Sequence, residues 1–295
     1  MSMHFAEIGQ QLRAYRLESG LRAEEIAARL GVSRAALYRY EKGEVIKLDT
    51  IKRLAELLKI SPLSLLGIGV EYYNRPIAYF ERIRQIEETA DQILQLFGPV
   101  CYLTTSEAYD QALAEVFDEA AEQVTAERTA MRSMAERVLG ILIARKRMYA
   151  TRRPGIIAMM SLSSVQRLLD DGVAGGIQVS DRVRRICREV AVTEVENMAA
   201  LMEAEPMGLQ FGLLIGAEPS SAFKILRARD RVSLAINPFR TNTHPSANTG
   251  VAMITGADEA IAAHQQVAEA KWREAVKGAA GASRLRQLVA TAVPA

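Results

Sequence analysis

AEEIAARLGVSRAALYRYEK, residues 23–42, decides how the first part of this chain folds. Apolar side chains fall at Ile26, Leu30, Val32, Leu37 and Tyr40, which suits two short helices joined by a corner. Helices that cross steeply in so short a span must approach closely, and Ala27 presents no more than a methyl there. Gly31 tolerates the positive φ that the corner requires. Ser33 is placed to accept from the free N–H groups that open the second helix. That second helix carries Ala35, Tyr38 and Arg39 on the side away from Leu37 and Tyr40.

Working outward, Gly20-Leu21, Glu24-Glu25-Ile26-Ala27, Gly31-Val32-Ser33, Leu37, Tyr40-Glu41-Lys42-Gly43 and Leu48-Asp49-Thr50-Ile51-Lys52-Arg53-Leu54-Ala55 form one pattern. Over residues 6–67 it resembles the phage-repressor (Xre-type) helix-turn-helix family. Ala23 departs from it, since the family often has Gln at the first residue of helix 2. The resemblance implies a five-helix domain whose third helix enters the major groove of DNA, in a bacterial regulator. In that setting Arg34 can pair bidentately with guanine, Ala35 can meet a thymine methyl, Tyr38 can bond a base or phosphate, and Arg39 can do either. Arg22, Ser33, Lys42, Lys47 and Lys52 are better placed for backbone phosphates, which position without specifying. Glu41 is expected to be structural, because a carboxylate facing phosphate would repel it. A few domains of this type serve protein contacts instead.

The totals agree with two units. A chain of 295 residues is long for one compact domain. The net charge of +2 excludes a strongly basic, histone-like binder. Residues 1–70 hold eleven Lys and Arg against eight Asp and Glu, enough for a local phosphate-binding face. Cys101 and Cys187 are too few and too distant for a disulfide scaffold or metal site. They suit a reducing cytoplasm and are expected to pack as small apolar groups. No apolar run approaches membrane-spanning length, and MSMHFAEIGQQ lacks the segments of a secretory signal. A cytoplasmic protein is expected.

The periodicity predicts helix 1 near 6–18, helix 4 after Leu48 capped by Asp49 or Thr50, and helix 5 opened by Ser61-Pro62. Residues 1–68 form the expected head, 69–76 a junction punctuated by Gly69 and Pro76, and 77–295 a larger mixed α/β domain, α+β overall. The junction leads into one long amphipathic helix over 77–97, either the body's first helix or a dimerisation helix. Val100–Leu103 reads as a buried strand, followed by a helix to about 149 with a break near 125. Further strands are expected at 156–160, 209–215, 222–226, 232–236 and 251–255. Helices are expected at 163–170, 180–204 and 257–275, and the Ala-rich tail reads as a weakly held helix. An Arg/Lys-rich helix end before a strand, a long helix and several strands, then a polar loop, a final strand and a helix with Trp272 resemble the effector-type domains fused behind Xre-type modules.

Two groups are candidates for an effector pocket. One is the cation cluster at 145–153, with Arg152 and Arg153 at its end; the alternative is a solvated helix terminus. The other is Asn237-Pro-Phe-Arg-Thr-Asn-Thr-His244, where Asn237, Arg240, Asn242 and His244 follow an apolar strand, and its alternative is a plain hydrophilic loop. No cofactor is implied. The three His lie in unrelated settings, and no catalytic or phosphate-cradling motif appears, so an enzyme is not expected. The reading is a transcriptional regulator that binds operator DNA as a homodimer. It is a repressor by family habit, and a small-molecule effector controls it by population shift. The rivals are a helix-turn-helix used for protein contacts and an enzyme with a DNA-binding appendage.

Overall fold

The computed structural model describes residues 5–66, 68–96, 98–123, 127–216, 222–240, 244 and 249–292. The fold is α+β. Five helices build the head: α1 (Phe5–Ser19), α2 (Ala23–Leu30), α3 (Arg34–Glu41), α4 (Leu48–Leu58) and α5 (Pro62–Leu65). Gly31, at φ 70°, closes α2, and the N–H groups of Gly31 and Val32 return to the carbonyls of Ala28 and Ala27. Ser33 Oγ accepts from Ala36 N–H at 3.1 Å, and Ser61 Oγ accepts from Leu63 N–H before Pro62 at the first position of α5. The cap expected at Asp49 or Thr50 is absent: α4 begins a residue or two earlier, after Lys47, and both residues lie in its first turn. A close backbone approach in the head is at Gly9 on α1, and Ala27 is buried as expected. A Cβ at Gly9 would sit 2.4 Å from the Tyr40 carbonyl oxygen and 2.7 Å from that of Glu41.

The stretch 69–76 is not a connecting segment. It carries β1 (Val70–Tyr73), which pairs antiparallel with β7 (Ala252–Thr255), and Pro76 then opens α6 (Pro76–Glu87). The single long helix expected over 77–97 is broken as well. The chain leaves α6 near Glu88 and enters β2 (Gln92–Leu96); Phe97 lies outside the described residues. All but one residue of α6 is buried, Glu81, Arg82 and Glu87 included, so charge does not mark an outer face, and Ile93, Leu94 and Leu96 fit either period. Val100–Leu103 is not a strand. It winds into a short 3₁₀ turn (Tyr102–Thr104), where the hydroxyls of Thr104 and Thr105 donate to the carbonyls of Cys101 and Tyr102 that a strand would have offered to a neighbour.

The rest of the chain adds α7 (Glu107–Glu122), α8 (Arg128–Arg152), β3 (Gly155–Ser161), α9 (Leu162–Asp171), α10 (Asp181–Ala204), β4 (Leu209–Leu214), β5 (Phe223–Arg227), β6 (Val232–Ile236), α11 (Asp258–Glu274), β8 (Val276–Lys277) and α12 (Gly278–Ala292). The break expected near Thr125 falls outside the described residues. Among the described residues, eight strands make one sheet in the order β1-β7-β6-β5-β2-β3-β4-β8, parallel only across β2, β3 and β4. Alternation along the strands splits the core. Ile93, Ile156, Phe211 and Leu226 face the main core, which runs unbroken from α1 to α12, while Leu96, Met159, Phe223 and Leu234 face a smaller core beneath α11. The tail helix α12 is firmly held, with Gly281, Ala282, Leu285 and Val289 buried and the helix seated on α10. No helix among the described residues is long and apolar enough to cross a membrane.

The head is fastened to the sheet by buried polar groups. Glu71 of β1 accepts from both sides of the Arg82 guanidinium (2.8 and 2.9 Å), from Gln11 Nε2 of α1 (2.9 Å) and from the Tyr73 hydroxyl (2.6 Å). Tyr15 of α1 stacks on Tyr73 with ring centroids 5.5 Å apart. A second group ties α6 to α8 and the sheet. Glu87 takes a bidentate pair from Arg145 (2.7 and 2.8 Å), with Lys224 Nζ at 3.6 Å.

Candidate nucleic-acid interface

Leu37 anchors α3 with no exposed surface, and Tyr40 packs partly beneath it. The next positions round the helix, Ala35, Tyr38 and Arg39, are exposed, as is Arg34 at the first helical position. The Ser33 cap and the corner at Gly31 therefore hold a polar face outward at the rim of the head. Glu41 does not belong to that face. Its carboxylate is gripped by the Arg16 guanidinium of α1 through two hydrogen bonds, the structural role expected of it.

Arg34 reaches back to Glu24 at 2.7 Å and donates to the Tyr38 hydroxyl at 3.3 Å, with its guanidinium 5.3 Å from the ring centroid. The bond to Tyr38 and the charge of Glu24 both raise the pKa of Arg34, so it stays cationic. Arg39 pairs with Glu44 at 3.1 Å. Both ion pairs are solvent-exposed, so they are weak and readily exchanged for a phosphate or a guanine edge. Arg22 closes the first turn of α2 with Glu25, its backbone N–H bonding one carboxylate oxygen and its Nε the other. Lys42, Lys47 and Lys52 are exposed at the end of α3, before α4 and on α4. The structure thus brings the proposed base-reading and phosphate-binding residues onto one head.

The proposed effector residues are not brought together. Arg152 and Arg153 end α8 beside the start of the sheet, with Arg152 3.9 Å from Asp91 just ahead of β2. Asn237 follows Ile236, which pairs with Phe223, which pairs with Leu96 at the far end of β2. Arg152 and Asn237 therefore lie at opposite ends of the strands. Asn237 spends its side chain on the local turn, donating to the Phe239 carbonyl and accepting the Phe239 N–H. Arg240 is exposed, and Asn242 lies outside the described residues. His244 is buried edge-on against Phe117, 5.4 Å between centroids, and burial lowers its pKa.

The cation cluster at 145–153 is also divided. Arg145 is an internal anchor on Glu87, and Lys146 binds Asp110 at 2.7 Å and the Ser106 carbonyl at 2.8 Å. Sequence reasoning missed these, although Lys224 between Phe223 and Ile225 was a visible signal of buried pairing. Both cysteines are buried and free, and burial pushes both thiols up, in keeping with their expected packing role.

Comparison with known proteins adds to this geometry. A protein of Pyrococcus horikoshii provisionally named as an HTH-type transcriptional regulatory protein is 28% identical over 174 residues, covering 54% of this chain and 55% of its own length. The chain thus matches about half of that relative. A solved structure of TrmBL2, described as an archaeal chromatin protein, covers 78% of this chain and 62% of its own at 11% identity. Its TM-score of 0.32 is too low to indicate a shared fold. Residues 7–65, the five helices described above, match the family model of a helix-turn-helix domain.

Proposed function

We propose that this chain is a sequence-specific DNA-binding transcriptional regulator, a repressor of Xre type acting in the cytoplasm. One observation carries the reading: a Ser33-capped helix is held outward with Arg34, Ala35, Tyr38 and Arg39 exposed, on a head that matches a helix-turn-helix domain over residues 7–65. The similarity to a protein named as an HTH-type transcriptional regulatory protein supports it. In this reading α3 lies in the major groove, Arg34 reads guanine, Ala35 meets a thymine methyl, and Tyr38 and Arg39 add base or phosphate contacts. Arg22, Ser33, Lys42, Lys47 and Lys52 hold backbone phosphates. A homodimer places two heads on successive half-sites, because one such helix covers only a few base pairs.

The test is selection of bound duplexes from a random library, followed by titration of the selected sequence with wild type and with Arg34→Ala/Arg39→Ala. The double variant is expected to lose discrimination by roughly 1–3 kcal/mol for each bidentate pair removed. Unchanged affinity and unchanged preference would overturn the reading and favour a protein-contact role for the head.

The body is proposed to bind a small-molecule effector and carries out no reaction in this reading. Arg152 with Arg153 is one candidate group and Asn237 with Arg240, Asn242 and His244 the other; Arg152 and Asn237 lie at opposite ends of the strands, and one ligand meets one group. Chemical-shift mapping with candidate ligands is expected to move the resonances of one group and leave the other still. Silence at both would remove the effector from these positions.

A further inference from the structure

A cleft of about 260 Å³ opens between the head and the body, with the turn after α1 and the start of α2 on one side and α6 and α8 on the other. Four arginines line it: Arg16 and Arg22 from the head, Arg75 just ahead of α6, and Arg137 from α8. Glu24 is the one carboxylate residue among the lining residues. Arg16 is neutralised by Glu41, and Arg22 is partnered by Glu25. Among the described residues, no carboxylate lies within ion-pair distance of the Arg75 or Arg137 side chain, and both residues are exposed. Glu18 is near, but its carboxylate accepts the backbone N–H groups of Asn74 and Arg75 (2.8 and 3.0 Å). The Arg75 guanidinium packs against the turn after α1, so close that a Cβ at Gly20 would come 2.4 Å from its Nη1.

Tyr38 also lines this cleft, and Tyr38 belongs to α3. The basic cleft is therefore continuous with the outward face of the recognition helix, not a separate cavity in the body. A duplex seated on α3 brings a phosphate strand along its rim, and unsatisfied guanidinium groups on that rim meet it with bidentate geometry. We propose that this head–body cleft receives the DNA backbone, with Arg75 and Arg137 each holding a phosphate, so that the body takes part in DNA binding directly. The inference rests on the regulator reading above and extends its DNA contacts beyond the head.

The probe is a mixed-sequence 30-base-pair duplex, titrated by fluorescence anisotropy across a range of salt concentrations with the full chain. The Arg75→Ala/Arg137→Ala variant is expected to shallow the slope of log K against log[salt] by about one to two, roughly 0.9 for each phosphate no longer neutralised. Arg75→Lys/Arg137→Lys is expected to keep most of the slope, and circular dichroism melting should match wild type because both residues are exposed. An unchanged slope in the Ala variant, with wild type still binding and still sensitive to Arg34→Ala/Arg39→Ala, overturns this inference alone. Failure of wild type to bind duplex overturns the regulator reading instead. A parallel titration with inorganic phosphate separates the sources of the anion. If the Ala variant loses phosphate binding while its duplex slope is unchanged, the cleft takes a free anion and the proposal fails.

Discussion

Glu71 is a carboxylate with its whole environment supplied by protein. Burial alone would raise its pKa, but the charge and hydrogen bonds of Arg82, the Tyr73 hydroxyl and the charge of Arg231 outweigh burial and bring it below the usual range. Glu87 behaves likewise, with Arg145 the chief compensating charge and Lys224 the second. A carboxylate whose folded pKa is depressed gives stability that is full above its unfolded value, about 4.3, and is lost as pH falls below it. Thermal melts from pH 7 to pH 3 should therefore show stability declining from about pH 5 downwards. Glu71→Gln should flatten that decline and cost about 3–5 kcal/mol at neutral pH, because it leaves the Arg82 charge buried without its anion. Glu87→Gln leaves two cations facing each other. Lys224, whose pKa is already lowered by burial and by Arg145, can relieve this by giving up its proton, so adding Lys224→Met should restore part of the lost stability. A pH-dependent melt indistinguishable between wild type and Glu71→Gln would refute this account.

Among the elements, α3 shows two different reasons for glycine close together. Gly31 is needed for its φ of 70°, and nothing lies within 4 Å of an added Cβ. Gly31→Ala should cost about 1 kcal/mol from the left-handed backbone, and Gly31→Asn less. Gly9 is needed for space, because α1 presses on the carbonyls that end α3. Gly9→Ala should cost about 1–3 kcal/mol, tilt α3 and weaken duplex binding more than Gly31→Ala does; melting and anisotropy on both variants check the order. Much of the head was legible in its sequence because its signals are local: Gly31, Ser33 and Ser61-Pro62 act on their own neighbours. The clash at Gly9 was not legible, since its partner lies more than thirty residues away. The break after α6 was missed for a related reason. A helix buried nearly all round, with its charges answered by residues from β1 and α8, has no outward stripe to give it away. Arg34, Ala35, Tyr38 and Arg39, proposed to face DNA, could be grouped because a local motif places them on one helix. The proposed effector residues were grouped by proximity in sequence and chemical type, and the strand register sets Arg152 and Asn237 at opposite ends of the sheet.

At the scale of the whole molecule, the head is joined to the body by an apolar core without a seam. Tyr15 of α1 stacks on Tyr73 of β1, and Gln11 of α1 bonds Glu71. Calorimetry of the full chain should accordingly give one cooperative transition, and residues 1–68 alone should melt well below it, deprived of the surface on which α1 sits. Two separated transitions, with the first matching the isolated head, would mean that the head is thermally independent. A head fixed in this way also restricts how the proposed effector would act. Moving α3 relative to the body requires rearranging buried pairs, which favours two discrete arrangements over a continuous swing.

The pairing of Val70–Tyr73 with Ala252–Thr255 has a consequence during synthesis. The first five helices leave the ribosome early, but the strand that completes their attachment waits for about 180 further residues before its hydrogen-bonding neighbour is made. Until then the nascent chain shows an unfilled backbone edge bearing Tyr72 and Tyr73, a template for the wrong partner that translation speed and chaperones must keep covered.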